Sequence, residues 1–171
     1  MKIASRHRAP RPDQLNALFI AADYFEERDD FRLAFLCARE GAEGGDDHCQ
    51  LQLGNFYSSG TGVVRNLKKA AYWYKKSFNN RQHGIQRSSG AHNLAIDLRN
   101  SGDIRGAIAW FKKAIALQDC SSCVELAKIY AKRKGGLPKA IALLHKVKTP
   151  EMDAVEWELE EADELLRSLS A

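Results

Sequence analysis

The sequence predicts an all-α protein made of about four helix–turn–helix units. An aliphatic residue followed four positions later by an aromatic or leucine side chain recurs along the chain. These pairs are Ile20 and Tyr24, Leu53 and Tyr57, Leu94 and Leu98, and Leu126 and Tyr130. After each pair comes an alanine, and these alanines are Ala34, Ala70, Ala107 and Ala140. Residues four apart share one face of a helix, and recurrence of this kind is typical of stacked helical hairpins.

The second helix of each unit is expected to carry a bulky pair three and four residues after its alanine. These pairs are Trp73–Tyr74, Trp110–Phe111 and Leu143–Leu144, while the first unit has Cys37 and Ala38 instead and is the most divergent. Glycine-containing turns separate the two helices of the later units, at residues 60–63, 100–103 and 134–138. Glycine suits these places because it ends a helix in the left-handed conformation without steric cost.

One stretch carries a family resemblance. Residues 53–63 are LGNFYSSGTGV, and residues 69–76 are KAAYWYKK. In order and spacing they resemble the Sel-one-like repeat, a relative of the tetratricopeptide repeat. The resemblance implies a right-handed α-solenoid that acts by binding other proteins. Small residues such as Gly54 and Ala95 would let two helix backbones approach closely.

Length and charge suggest three segments. Residues 1–12 are expected to form a basic, flexible N-terminal arm, residues 13–148 the repeat solenoid, and residues 149–171 an acidic amphipathic helix. That helix is predicted to begin at Thr149–Pro150–Glu151, since proline favours the first helical position. It would cap the last repeat with a polar outer face. The alternative is that it folds back over a basic groove as a substitute ligand.

No residue pattern indicates catalysis, a cofactor or a metal. The four cysteines are Cys37, Cys49, Cys120 and Cys123, and a single Cys-x-x-Cys is weak support for a zinc or redox site. We therefore expect free thiols in buried helix positions. The histidines form no His-Glu-x-x-His motif or i, i+4 pair. The protein is predicted to be non-catalytic.

The chain shows no targeting or membrane signal. Its first twelve residues lack an apolar signal core, and it has no run of eighteen apolar residues, so the cytoplasm is the expected compartment. Net charge is +4, and the repeat scheme places lysine pairs such as Lys68–Lys69 on the outer side of the solenoid. Such pairs are typical of a solvated surface, which makes nucleic acid the less favoured partner.

The family resemblance implies that the first helix of each hairpin lines a concave, partner-binding surface. The residues it places there are Gln52, Asn55, Ser59, His92, Asn93, Arg99, Asn100, Glu125, Lys128 and Lys132. This row is polar and net basic, which suits an acidic peptide or protein surface. Asn55 and Asn93 are expected to clamp a peptide main chain through paired donor and acceptor groups.

The first unit is richer in apolar residues than one inner helix face needs. Leu15, Leu18, Phe19 and Phe25 therefore predict a hydrophobic contact with a partner or a second copy, in a monomer or weak homodimer. Small bacterial proteins that resemble this family include immunity proteins, which neutralise a toxin, and adaptors in signalling or envelope complexes. Immunity is the first hypothesis, an adaptor role the second, and a nucleic-acid-binding solenoid the third.

Overall fold

A computed structural model of the protein describes residues 11–81 and 84–170, and these residues form helices and connecting turns without a β-strand. The helices are α1 Pro12–Glu26, α2 Phe31–Gly44, α3 Asp47–Ser59, α4 Leu67–Asn79, α5 Gly84–Asn100, α6 Ile104–Ile115, α7 Cys120–Ala131, α8 Leu137–Val147 and α9 Glu156–Ser170, with a 3₁₀ turn at Pro150–Met152. The predicted all-α fold of helical hairpins is confirmed. Residues 1–10 of the predicted basic arm lie outside the described residues.

The helices fall into two compact units. The N-terminal unit extends to Ser77, and the C-terminal unit begins at Phe78. Within the first, α1 packs on α2 and α2 on α3. Within the second, each of α5 to α8 packs on the next helix along the chain, and α9 contacts both α7 and α8. Packing between sequential neighbours is typical of helical repeats.

Aspartate and asparagine side chains start most of these helices. They accept a hydrogen bond from the backbone N–H three residues on, which satisfies a donor that the helix itself leaves unpaired. These N-cap residues are Asp30, Asp46, Asn66, Asp103 and Asp119. Two helices end at a left-handed glycine, α2 at Gly45 and α3 at Gly60. The caps therefore fix where each hairpin turns.

The alanine column predicted from the sequence is the spine of the core. Ala34, Ala70, Ala107 and Ala140 are fully buried. The second member of each predicted bulky pair is also buried, and these residues are Tyr74, Phe111 and Leu144. Small and large side chains thus alternate where the helices of a hairpin meet, which fills the space between them.

In the first hairpin the predicted register is wrong by one residue. Ile20 and Tyr24 are 57% and 50% exposed, whereas Ala22 is fully buried. Ala21, Ala22 and Phe25 occupy the positions that Leu53, Gly54 and Tyr57 hold in α3. The helix turns this face inward because its small Ala22 allows close approach of a neighbouring backbone.

The C-terminal helix begins later than predicted. Pro150 starts only a short 3₁₀ turn, and Asp153 then adopts a left-handed conformation with φ of 49°, which interrupts the helix. Met152 is buried, and its carbonyl oxygen accepts a hydrogen bond from the Cys120 thiol at 3.1 Å. The chain therefore turns at this anchor before α9 starts at Glu156.

The apolar face of α9 closes the core of the C-terminal unit. Ala162 is fully buried, and Leu159, Leu165, Leu166 and Leu169 pack against the same cluster. Among the helices of the described residues, none combines the length and the apolar composition needed to cross a bilayer.

Candidate partner-binding surface

The structure brings together three of the predicted site residues in the C-terminal unit. The Arg99 guanidinium on α5 donates to the Glu125 carboxylate on α7. Glu125 Oε1 also accepts from Lys128 Nζ at 2.8 Å, and Lys128 Nζ donates to Glu161 Oε1 on α9 at 2.7 Å. Arg99, Glu125, Lys128 and Glu161 form a continuous ion-pair ladder across α5, α7 and α9.

The ladder is electrically balanced, which corrects the expectation that Arg99 and Lys128 make this surface basic. Two cations face two carboxylates, all of them 19–38% exposed. The excess positive charge lies at the next turn of the chain, on Lys132 and Arg133. Both are exposed, and neither side chain is paired with an acid among the described residues.

A pocket of about 470 Å³ opens beside the ladder. Its cationic lining is Arg99, Lys128, Lys132 and Arg133, and its apolar lining is Ile104 and Ile129. Ile129 is only 9% exposed, whereas Lys132 and Arg133 are exposed, so Ile129 is more buried than these two cations. This basic pocket joins fixed positive charge to a hydrophobic surface within a single unit.

His92 joins α5 to the start of α7. Its Nδ1 lies 2.9 Å from Ser122 Oγ and 3.3 Å from Asp119 Oδ1. Asp119 also accepts from the Ser122 backbone N–H at 2.7 Å as the N-cap of α7. Burial raises the pKa of the Asp119 carboxyl, but the hydrogen bonds from His92 and Ser122 outweigh it, so that the pKa lies below its ordinary value.

These contacts give His92 a structural role, because its ring is half-buried and packs edge-on against Phe111. The other two predicted residues of α5 are Asn93, which is half-buried, and Asn100, which is exposed. The Asn100 side-chain oxygen lies 3.3 Å from two nitrogens of Arg99. Asn100 therefore extends the ladder toward the turn that follows α5.

In the N-terminal unit, Gln52 is the predicted residue that contacts acidic side chains. Gln52 Nε2 donates to Asp23 Oδ1 at 2.8 Å and to Glu26 Oε2 at 2.9 Å. The predicted row is net basic only as a whole, since its α3 members are uncharged, and the acids that contact Gln52 belong to α1. An acidic ligand would meet two carboxylates there, so it is better suited to the C-terminal unit.

Asn55 and Ser59 are exposed, but both make hydrogen bonds inside the protein. Asn55 Oδ1 accepts from the Tyr74 hydroxyl at 3.0 Å. Ser59 Oγ donates to the Asn55 carbonyl at 3.0 Å and lies 2.8 Å from Thr61 Oγ1. The Asn55 side-chain oxygen thus helps hold α4 on α3, and a main-chain clamp by Asn55 and Asn93 stays a prediction.

The apolar residues predicted as a contact surface on α1 are only partly available. Leu15, Leu18, Phe19 and Phe25 are half-buried within the N-terminal unit. The Phe19 ring, for example, packs 4.7 Å from the ring of His48. The exposed apolar side chains of α1 are instead Ile20 and Tyr24, a consequence of the shifted register.

The four cysteines are free thiols, and only Cys37 is partly exposed. Burial is the first cause that raises the pKa of Cys120 to about 12 and that of Cys123 to about 11, and it also raises the pKa of Cys49. Protonated, buried thiols are poor nucleophiles and poor metal ligands. No cluster of three or more His, Cys, Asp or Glu side chains within the described ranges is placed to hold a metal.

Comparison with known proteins agrees with this architecture. Residues 47–80 and 91–119 match the family model of the Sel1 repeat. Two segments of the chain therefore match the Sel1 repeat, and together they cover 63 of its 171 residues. The first match covers α3 and α4, and the second covers the C-terminal part of α5 and all of α6. Sel1 repeats generally serve as non-catalytic scaffolds for protein–protein interaction.

Solved structures with Sel1 or related repeats share the fold. A Sel1 repeat protein from Oxalobacter formigenes superposes with a TM-score of 0.66 at 18% identity, covering 81% of this chain and 60% of that one. The protective antigen c5321 of uropathogenic Escherichia coli, which has an SLR fold, gives a TM-score of 0.64 at 18% identity, with 91% and 38% covered. This chain thus spans less than two thirds of either protein.

A more distant repeat family gives a similar result. The TPR-like repeats of a kinesin light chain from Podospora anserina superpose with a TM-score of 0.60 at 17% identity, covering 95% of this chain and 96% of that one. No curated protein matches this chain in sequence. At such low identities the likeness is one of fold alone.

Proposed function

We propose that this protein is a non-catalytic binding module that holds one protein partner with an acidic surface, using α5 and α7, the first helices of the two hairpins in its C-terminal unit. The observation that carries the proposal is the ladder of Arg99, Glu125 and Lys128 with the uncompensated cations beside it. The ladder fixes its side chains before binding, so a partner orders few of them.

The finer proposal is that the partner is a toxin and the protein its immunity factor. It rests on the family resemblance and on a binding surface without catalytic groups. An adaptor in a signalling or envelope complex would use the same surface with a different partner. Nucleic acid is the third candidate, since exposed lysines such as Lys68 and Lys75 on α4 could contact phosphates.

A capture experiment tests the binding mode. The tagged wild-type chain and an Arg99→Gln/Lys128→Gln variant are used to capture proteins from a lysate of the source organism, and mass spectrometry compares the two. The variant leaves Glu125 and Glu161 without cations, so an acidic partner should be repelled. Circular dichroism and thermal unfolding check that the variant is folded.

The matched control is Lys68→Gln/Lys75→Gln, which removes the same charge from exposed positions on α4. Loss of one protein from the Arg99/Lys128 variant but not from the control supports the proposed surface. Equal capture by all three chains would show that the partner binds elsewhere. Recovery of nucleic acid, lost at high salt, would favour the nucleic-acid alternative.

Growth assays separate immunity from an adaptor role. The captured protein is produced in a heterologous bacterium with and without this chain. Growth arrest that the wild-type chain relieves, and the Arg99→Gln/Lys128→Gln variant does not, supports immunity. A partner that leaves growth unchanged in both cases favours the adaptor role.

A further inference from the structure

The basic pocket has a feature that charge alone does not explain. Part of its lining is aliphatic, from Ile104 at the start of α6 and the buried Ile129 near the end of α7. A small inorganic anion gains nothing from such a surface, because burial of apolar area stabilises only an apolar group. A ligand that fits this pocket must therefore carry both an apolar group and negative charge.

The charge around the pocket defines the polar half of that ligand. Arg99 and Lys128 are neutralised by Glu125 and Glu161, whereas Lys132 and Arg133 are not paired with acids of the described chain. Two positive charges are therefore left at the rim. A ligand with two or more carboxylates would complement them.

The turn that carries these cations is held in place by its backbone. The Arg133 N–H donates to the Tyr130 carbonyl at 2.9 Å, and the Arg133 carbonyl accepts from the Gly136 N–H at 2.9 Å. A Cβ at Gly136 would overlap the Tyr130 carbonyl oxygen, so the turn can close this tightly only with glycine. The pocket rim is thus formed before a ligand arrives.

The protein itself shows which chemistry the neighbouring surface accepts. Helix α9 is acidic and amphipathic, and it docks on α7 and α8 with Ala162 buried and Glu161 bonded to Lys128. One side of α7 is therefore already in contact with an apolar helix face that has carboxylates beside it. The basic pocket offers the same combination at the end of that helix.

We propose that the basic pocket binds an acidic peptide segment of the partner, in which one apolar side chain is flanked by carboxylates. The apolar side chain contacts Ile104 and Ile129, and the carboxylates pair with Lys132 and Arg133. This inference rests on the proposed function and specifies the part of the partner that is recognised.

A defined probe tests the proposal with the full-length chain. The probe is a fluorescein-labelled decapeptide, Gly-Ser-Glu-Asp-Glu-Leu-Asp-Glu-Gly-Ser, titrated in low salt. In a chain labelled with ¹³C at isoleucine δ1 methyls, the signals of Ile104 and Ile129 should shift, while those of Ile20 and Ile85 outside the pocket should not. Peptides with serine in place of leucine, or with amides in place of the acids, should each bind at least about tenfold more weakly.

A pair of charge-reversal variants locates the site. Lys132→Glu/Arg133→Glu should weaken peptide binding by about tenfold or more. The matched control, Arg105→Glu/Lys112→Glu, exchanges one arginine and one lysine on exposed positions of α6 and should change it less than about twofold. Neither pair bonds to an acid among the described residues, so both variants should fold.

Several results would overturn the proposal. The methyl signals of Ile104 and Ile129 could fail to shift, or both charge-reversal variants could weaken peptide binding equally. The serine peptide could also bind as tightly as the leucine peptide. Methyl shifts that depend on protein concentration rather than on peptide concentration would assign the pocket to a second copy of the chain. If Arg99→Gln/Lys128→Gln abolishes capture of the partner and Lys132→Glu/Arg133→Glu does not, the proposed function stands and this pocket assignment fails.

Discussion

Replacing Gly54 by alanine should destabilise the N-terminal unit, although alanine is the better helix former. A Cβ at residue 54 would lie 2.5 Å from two ring carbons of Tyr74. Carbon atoms in proteins are most favourably placed about 3.5–4.0 Å apart, so the ring would have to move by about 1 Å or more. Tyr74 is only 2% exposed and its hydroxyl is bonded to Asn55, which leaves the ring little freedom.

The expected change in the free energy of unfolding is the sum of two destabilising contributions and one stabilising contribution. Overpacking a core by a methyl group costs about 1–3 kcal/mol. Loss of the hydrogen bond from Tyr74 to Asn55 adds about 1 kcal/mol, and the helix propensity of alanine returns about 1 kcal/mol. Gly54→Ala should therefore lower the free energy of unfolding by about 1–3 kcal/mol, measured by urea unfolding followed by circular dichroism.

A double-mutant cycle isolates the clash from other effects. Tyr74→Val removes the ring carbons, so in that background Gly54→Ala should be neutral or stabilising by up to about 1 kcal/mol. Lys68→Ala, at an exposed position of α4, should change stability by less than about 0.5 kcal/mol. Equal destabilisation by Gly54→Ala in both backgrounds would refute the close approach of α3 and α4.

Three further predictions concern other parts of the chain. Gly62→Ala should cost at least about 1 kcal/mol in urea unfolding, because Gly62 has φ of 67° and a Cβ there would overlap the Phe31 carbonyl oxygen; wild-type stability would contradict this. The lowered pKa of Asp119 stabilises the fold above about pH 4 and ceases to do so as pH falls through that pKa. Asp119→Asn keeps an N-cap acceptor but loses the charge that strengthens its hydrogen bonds, so in urea unfolding it should destabilise by about 1 kcal/mol at pH 7 and flatten the loss of stability on acidification. A thiol reagent at pH 8 should modify Cys120 and Cys123 only as fast as the chain opens, and rapid labelling of the native protein would show that they are accessible.

The fold could be predicted because repeat spacing is visible in a single sequence. Four alanines at equivalent positions indicated four hairpins, and all four are buried. The register of α1 was predicted wrongly because Ile20 and Tyr24 have the same i, i+4 spacing as Ala21 and Phe25. Periodicity alone does not distinguish two registers one residue apart when the inward face is made of small residues.

The candidate site was harder to predict because its ion pairs join residues of different hairpins. Arg99, Glu125 and Lys128 were expected on one surface, but spacing within a helix carries no information on which charges will meet. Glu161 was missed since it lies 33 residues from Lys128, in a segment predicted to be a cap. Arg133 was missed because it follows the last predicted groove position, although the run from Lys132 to Lys134 is a visible basic signal.

Helix α9 reduces the positive charge on the surface of α7, because its Glu161 pairs with Lys128. The roles of cap and of substitute ligand both stay predictions for this segment. Its apolar face closes the core, and its Glu161 neutralises Lys128 in a pair that is 38% exposed on each side. Because such pairs contribute only about 0.2–1 kcal/mol, Glu161→Gln should leave the chain folded while leaving Lys128 with one acidic partner, Glu125, instead of two. Affinity for the acidic decapeptide should then rise by about two- to fivefold, in fluorescence anisotropy at low salt.

Glu164→Gln removes the same charge from an exposed position of α9 and serves as the control. Equal gains in both variants would reflect only the change in net charge, whereas no gain in either would mean that Lys128 does not face the bound peptide.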